Sequence, residues 1–247
     1  MTDELRIIIL AAGRGTRMNS NLPKVLHTLN GSTLLDHVLD QSRLLDPIET
    51  ILVVGFKKEK VISRTKERNN LKYATQVEQL GTGHAVLQTE NLLKDKNGHI
   101  LILYGDVPNI KASTLNPIIN NHIKDNRGIT LVTAELNNPT GYGRIIKDSR
   151  NSITKIVEEK DCSDKQRLIK EINTGIFIFK IPEIFDILNN IKTNNISKEY
   201  YLTDVVELAK SKTKIKAIKI NNSNEIIGVN TIEQLQELKS WVTYLIL

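Results

Sequence analysis

Residues 10–24, LAAGRGTRMNSNLPK, bring together the groups that hold a polyphosphate: Gly13, Gly15 and three cations, Arg14, Arg17 and Lys24, just past an N-terminal apolar run. Glycine lets the backbone turn tightly and present N–H groups to an anion. Arginine grips phosphate oxygens in a planar fork, while lysine supplies a mobile point charge. Two better-known phosphate motifs do not fit. The dinucleotide fingerprint needs Gly-x-Gly-x-x-Gly running straight into a helix, but Met18 stands at the last position and NSNLP follows. A Walker A loop needs Gly-Lys-Ser/Thr, which the chain lacks. A lone Gly-x-Gly is more often an ordinary turn. Two glycines with three cations after a buried strand shift the reading to phosphate.

Asp106 is the next candidate, because it stands just past the apolar run Ile100–Tyr104. A carboxylate there suits Mg2+, a hard cation that prefers oxygen ligands. Taken alone, Asp-Val-Pro also reads as a turn ahead of Pro108. The five histidines show no metal-ligand spacing. His27 and His84 are read as structural polar groups. Cys162 is the single cysteine, so neither an intramolecular disulfide nor a Cys-rich zinc site is expected.

The elements that must position these groups follow from apolar periodicity. Leu5–Leu10, Ile51–Val54 and Ile100–Tyr104 are short apolar runs, the mark of fully buried strands. Between them, Ser32 is expected to cap a helix carrying Leu34, Leu35, Val38, Leu39 and Leu45, and residues 83–93 read as helical. Buried strands alternating with helices imply a parallel sheet covered on both faces. After Ile129 the pattern changes. Residues 129–136, 144–147, 153–157 and 172–179 read as strands, with a turn at 148–151, and suggest antiparallel additions. Residues 201–210 read as helix and 215–220 as strand. Thr231, paired with Gln234, opens a last helix with Ile232, Leu235, Leu238, Val242 and Leu245 on its apolar face. The expected class is α/β, with a Rossmann-like mixed, mainly parallel sheet flanked by helices. The apolar ending TYLIL fits either a helix docked on its own core or a chain that continues into another domain.

The chain has 247 residues, 40% hydrophobic and 25% charged, enough to bury a core without disulfides or metals. Its net charge of +6 raises nucleic-acid binding as a rival reading. The cations are scattered among acids and only 4% of residues are aromatic, so no nucleic-acid partner is expected. A diffuse positive field also suits a small polyanionic substrate. The acidic start lacks the basic region and cleavage site of a signal peptide, and no apolar stretch approaches spanning length. No membrane partner is expected, and the location read from these features is cytoplasmic.

The loop LAAGRGTRMNSNLPKVL resembles the signature of the sugar-phosphate nucleotidyltransferases. Further segments, QVEQLGTGHA, LYGDVP, NPTGYGRI, IVEEKD, EINTGI, EYYLTD and GVN, follow in order over nearly the whole chain. Together they resemble the uridylyltransferase domain of the bifunctional N-acetylglucosamine-1-phosphate uridylyltransferases. The resemblance implies transfer of UMP from UTP to N-acetylglucosamine-1-phosphate with Mg2+ as cofactor. It places Leu10, Ala11, Ala12 and Gly13 against uracil and ribose, with Gln76, Gly81 and Thr82 completing base recognition. It assigns the acetamido sugar to Tyr104, Gly105, Gly141, Glu158, Asn173 and Thr203. Asp106 and Asn230 become metal ligands, although Asn230 also stands where a helix N-cap belongs. Arg17 and Lys24 become the catalytic cations at the phosphates.

By the same resemblance, residues 1–228 form the nucleotidyltransferase domain. Residues 229–247 form a helix leading toward a β-helix acetyltransferase domain whose hexapeptide repeats this sequence lacks. A monomer is compatible with that lack, since the β-helix builds the family's trimer. The rivals are a related enzyme with another sugar-1-phosphate or nucleotide, and a non-catalytic nucleotide-binding module.

Overall fold

Every residue of Leu5–Ala11 (β1) is buried, and all but Arg6 are apolar, so the strand must be covered on both faces. The computed structural model describes residues 4–244, with side chains described through residue 240. Alternation along β1 sends Ile7 and Ile9 to one hydrophobic layer and Ile8 and Leu10 to the other.

The chain next forms a small hairpin, β2 (Thr28–Leu29) and β3 (Ser32–Thr33), then α1 (Leu34–Arg43), β4 (Glu49–Val54), α2 (Lys58–Thr65) and β5 (Leu71–Thr75). Two short helices follow, α3 (Thr82–Leu87) and α4 (Glu90–Leu93), then β6 (Gly98–Tyr104), α5 (Ala112–Lys124) and β7 (Ile129–Glu135). The hairpin β8 (Arg144–Lys147) and β9 (Ile153–Val157) precedes α6 (Asp164–Arg167), the long β10 (Glu171–Ile181) and α7 (Glu183–Leu188). The last elements are α8 (Val205–Ala209), β11 (Ile215–Lys219) and α9 (Ile232–Tyr244).

The sheet order is β11-β7-β10-β6-β1-β4-β5, with β8 joined to β10 and β9 to β8. Strands β6, β1, β4 and β5 are mutually parallel. β10 runs antiparallel to both β6 and β7, and β11 lies parallel to β7. This is the expected α/β fold with a mixed, mainly parallel sheet. The strands expected after residue 129 are present, and β8, β9 and β10 pair antiparallel as anticipated. One sheet face is covered from α3, α4, α7 and α8 through Val86, Leu93, Phe185 and Val205. The other is covered from α1, α2 and α5 through Leu35, Val38, Val61 and Leu115.

Three local expectations need correction. Thr33, not Ser32, caps α1: Ser32 is paired with Leu29 in the hairpin, and Asp36 closes a capping box with Thr33. The helix expected over 83–93 is broken in two, where the buried Thr89 hydroxyl donates back to the Val86 carbonyl at 2.7 Å. The helix expected over 201–210 starts as a 3-10 turn, Leu202–Asp204, because the Leu202 amide is taken by the Thr82 hydroxyl at 3.0 Å. The pair Thr231–Gln234 does cap α9, in both directions, at 3.2 Å. Leu235 and Leu238 pack with Met18, Leu29, Leu34 and Val229, so α9 braces the end of the Gly-rich segment. The side chain of Val242, and the final residues 245–247 of TYLIL, lie outside the described residues.

Candidate active site

The chain passes from β1 to β4 on one side and later to β6 on the other. The carboxyl ends of β1 and β6 therefore flank a topological switch point, the usual place for a ligand in an open α/β sheet. The register sets Leu10 beside Tyr104 across that crevice.

Two adjoining cavities open there. The first, about 260 Å3, is lined by Leu10, Ala11, Ala12, Gly13, Gln76, Gly81 and Thr82, all seven residues expected around the nucleoside. The second, about 430 Å3, is lined by Arg17, Tyr104, Gly141, Glu158, Asn173 and Asn230 among others. Lys24, Thr82, Tyr104, Asp106 and Glu199 border both. Two expected sugar residues sit behind the lining. Gly105 is buried, donating its amide to the Leu10 carbonyl at 3.0 Å, and Thr203 is buried behind Glu158.

The Gly-rich loop is built less uniformly than its composition suggests. Of its two glycines, Gly15 takes a left-handed backbone, at φ 61°, and a Cβ there would meet Lys24 Cβ at 2.6 Å. Gly13 needs no such conformation; a Cβ built on it would meet open space. Gly15 thus lets the stem of Lys24 lie against the loop. From there the Lys24 ammonium donates to the Asp106 carboxylate, and to Asn230 Oδ1 at 3.0 Å. Arg17 Nη2 donates to the same Asn230 oxygen at 3.0 Å.

Thr231 and Gln234 cap α9, so the Asn230 side chain does not, and its amide oxygen is left to Lys24 and Arg17. Its amide oxygen and the Asp106 carboxylate already converge on a cationic group. Two hard oxygen donors at one point fit Mg2+, which keeps several waters and takes its remaining ligands from substrate phosphates. Among the described residues no cluster of three or more His, Cys, Asp or Glu forms a closed metal cage.

In the first cavity, Gln76 is buried and donates Nε2 to the Gly81 carbonyl at 3.0 Å, with His84 Nδ1 at 3.1 Å. His84 therefore serves as a structural partner that fixes the Gln76 amide. Gly81 has φ 111° and ψ 174°, a region essentially restricted to glycine. A Cβ there would meet the Tyr200 carbonyl oxygen at 2.6 Å. Gly81→Ala is expected to lose about 1–3 kcal/mol of stability. A denaturant midpoint unchanged from the parent chain would refute that strain.

The second cavity is acidic at its far end. The Thr203 hydroxyl donates to Glu158 at 2.9 Å. Burial raises the Glu158 carboxyl above its usual range; that hydrogen bond opposes the rise, and the charges of Asp204, Asp161 and Glu199 add to it. Burial and Glu158 likewise raise the Tyr104 phenol. A bulge in β10 between Asn173 and Phe177 breaks the register with β7, and Asn173 Oδ1 accepts the Gly175 amide at 3.1 Å. Cations gather at one end of the crevice and hydroxyl acceptors at the other, which suits a sugar phosphate lying along it.

Asp204 provides a pH test. Burial, then repulsion from Glu207 and Asp161, pushes its carboxyl up from 3.8 to about 6. The folded value lies above the unfolded one. The protonated group's stabilisation is therefore complete below the unfolded value and lost as pH rises through the folded one. Asp204→Asn should raise the thermal midpoint near neutral pH and converge on the parent chain by about pH 4. An equal difference at both pH values would show that titration is not the cause.

Sequence reasoning assigns no role to Gln79, Glu199, Tyr142 or Tyr201, yet all line the cavities. Each lies inside a motif noted in the sequence, but nothing in its spacing marks it as facing the crevice.

The chain belongs to the nucleotidyl transferase family, whose family model matches residues 6–233. Its relatives include the bifunctional protein GlmU of Acetivibrio thermocellus, 44% identical over 234 residues, 94% of this chain and 50% of that protein. The bifunctional protein GlmU of Enterococcus faecalis is 44% identical over 224 residues, 90% of this chain and 48% of that protein. The chain thus spans about half the length of the curated relatives it matches. A solved putative glucose-1-phosphate thymidylyltransferase from Bacillus anthracis, in complex with a sucrose, shares the fold with a TM-score of 0.78 at 18% identity, covering 96% of this chain and 94% of that one. A UDP-glucose pyrophosphorylase complexed with UDP-glucose gives 0.77 at 20% identity, covering 98% and 99%. No helix among the described residues is long and apolar enough to cross a membrane.

Proposed function

We propose that this nucleotidyl transferase domain moves UMP from UTP to N-acetylglucosamine-1-phosphate, giving UDP-N-acetylglucosamine and pyrophosphate, with Mg2+ as cofactor and in the cytoplasm. The observation that carries the reading is the pair of adjoining cavities whose shared border holds Lys24 and Asp106. One cavity offers backbone and an amide to a base; the other offers hydroxyl acceptors to a sugar. The reacting phosphates would lie between them.

An oxygen of the sugar phosphate attacks the α-phosphorus of UTP; the new P–O bond forms as the bond to the β-phosphate oxygen breaks, and pyrophosphate leaves. The nucleophile is already anionic, so no general base is needed. What the chain must supply is alignment and positive charge. Lys24 stands at the cavity border, where the reacting phosphates meet. Arg17, which shares the Asn230 oxygen with Lys24, would answer the charge that grows on the departing pyrophosphate. Mg2+ held by Asp106 and Asn230 would add Lewis-acid charge on the phosphate oxygens.

One assay tests the reading: UTP, N-acetylglucosamine-1-phosphate and Mg2+, with UDP-N-acetylglucosamine and pyrophosphate measured. Substituting dTTP, CTP or glucose-1-phosphate should lower kcat/KM. A preference for one of them would replace the substrate assignment. Nucleotide binding without pyrophosphate release would overturn the catalytic reading.

A further inference from the structure

We infer that Glu159 is a positioning residue for the sugar site: clamped by the buried Arg144, it holds the Gly141 amide that borders the second cavity. The role it is given in the reaction rests on the substrate reading above.

Arg144 is the first residue of β8, held in register opposite Val157 and Ile172. Its side chain is 1% exposed, so its charge needs a partner from within the fold. Nη2 lies 2.7 Å from Glu159 Oε2, and Nη1 donates to the Tyr142 carbonyl. The same Oε2 accepts the Gly141 amide at 3.2 Å. Two peptide groups of the loop, Thr140–Gly141 through Glu159 and Tyr142–Gly143 directly, are therefore tied to a single buried guanidinium. Glu159 remains ionised in this arrangement, because Arg144 and the Gly141 amide outweigh its partial burial and hold the carboxyl below the usual range.

A structural ion pair alone would require only Arg144 and Glu159. The third member makes the difference. Gly141 sits at φ 89°, and a Cβ built there would meet nothing within 4 Å, so its bare backbone faces open space at the cavity edge. A backbone with this freedom needs an external tether to keep one orientation. The Tyr142 phenol, bonded to the Gly228 backbone, fastens the loop on the Asn230 side of the cavity. Arg167 reaches the other Glu159 oxygen, Oε1, at 2.7 Å, from a more exposed position.

The test uses Glu159→Ala, Glu159→Gln and Arg167→Ala in the full chain. Without any ligand, Glu159→Ala should speed amide hydrogen exchange at Gly141 by about tenfold, the effect of losing one hydrogen bond to a charged group. In turnover, KM for the sugar phosphate should rise by about as much while KM for UTP and kcat stay within a few fold. Glu159→Gln keeps an oxygen for the amide and should recover most of the loss. Arg167→Ala should leave both readouts near the parent values. Unchanged Gly141 exchange in Glu159→Ala overturns the inference, as do equal KM rises for both substrates, which signal general loosening. The exchange measurement needs no substrate. A chain that fails to use N-acetylglucosamine-1-phosphate would therefore overturn the substrate assignment and leave the tether to be judged by exchange alone.

Discussion

Asp106→Ala is expected to lower Mg2+-dependent turnover by about three orders of magnitude or more, the scale set by removing a fixed charge partner from a transition state rich in negative charge. Asp106 follows β6 at the crevice, and its backbone carbonyl accepts the Val229 amide at 2.9 Å. That bond brings the turn bearing Asn230 to the same point, so two oxygens meet without a dedicated cage. Removing the carboxylate leaves Asn230 alone and the Lys24 ammonium without its paired anion. Lys24 is largely covered, its side chain 16% exposed, but its four-carbon stem can turn toward solvent. The fold should survive, and the thermal midpoint should confirm that. Asp106→Asn separates charge from shape: it keeps an oxygen in place and should still lose most activity. An unchanged Mg2+ dependence of turnover in Asp106→Ala would remove this residue from the metal site.

Arg17→Ala should cut kcat by about two to three orders of magnitude, as loss of one preorganised donor does at a developing charge. Arg17 is exposed, but it is not loosely placed. It lies in a short turn, Thr16–Met18, whose Met18 is 1% exposed among Leu34, Val229 and Leu235. The buried methionine holds the turn so that the guanidinium reaches Asn230. Because Arg17 itself buries little, its loss should leave stability unchanged, which makes the kinetic result clean. Arg17→Lys should restore part of the rate, since it keeps the charge but not the planar fork. Turnover within a few fold of the parent chain would mean that Arg17 faces solvent, not phosphate, during the reaction.

Much of the fold is legible because the central strands hold unbroken apolar runs. Residues 7–11, 51–54 and 100–103 are apolar and buried on both faces, and such strands announce themselves by composition. The edge strand Leu71–Thr75 gives little sequence signal because it is short and only Ala74 in it is buried. Helix α5 is hard to read as well; Pro117 inside it breaks the usual pattern, though Leu115, Ile118 and Ile119 are buried along it. The α1 cap shifts by one residue from its expected place, since Ser32 and Thr33 are both good caps and only the hairpin decides between them.

By itself the sequence determined the class of chemistry. A glycine-rich loop with Arg17 and Lys24 after a buried strand, and a carboxylate after another, are local features readable without a fold. The tertiary structure decided which groups act together. Asn230 is far along the chain from Lys24 and Arg17, yet its amide oxygen meets both, and it is free to do so only because Thr231 and Gln234 cap α9. In the sequence Glu159 is one more acid beside Glu158; the buried Arg144 makes it a tether for Gly141. The physical reason is the same in both cases. Residue types fix what a side chain can donate or accept, but partners distant in sequence are chosen by packing, which brings the ends of separate strands to one crevice.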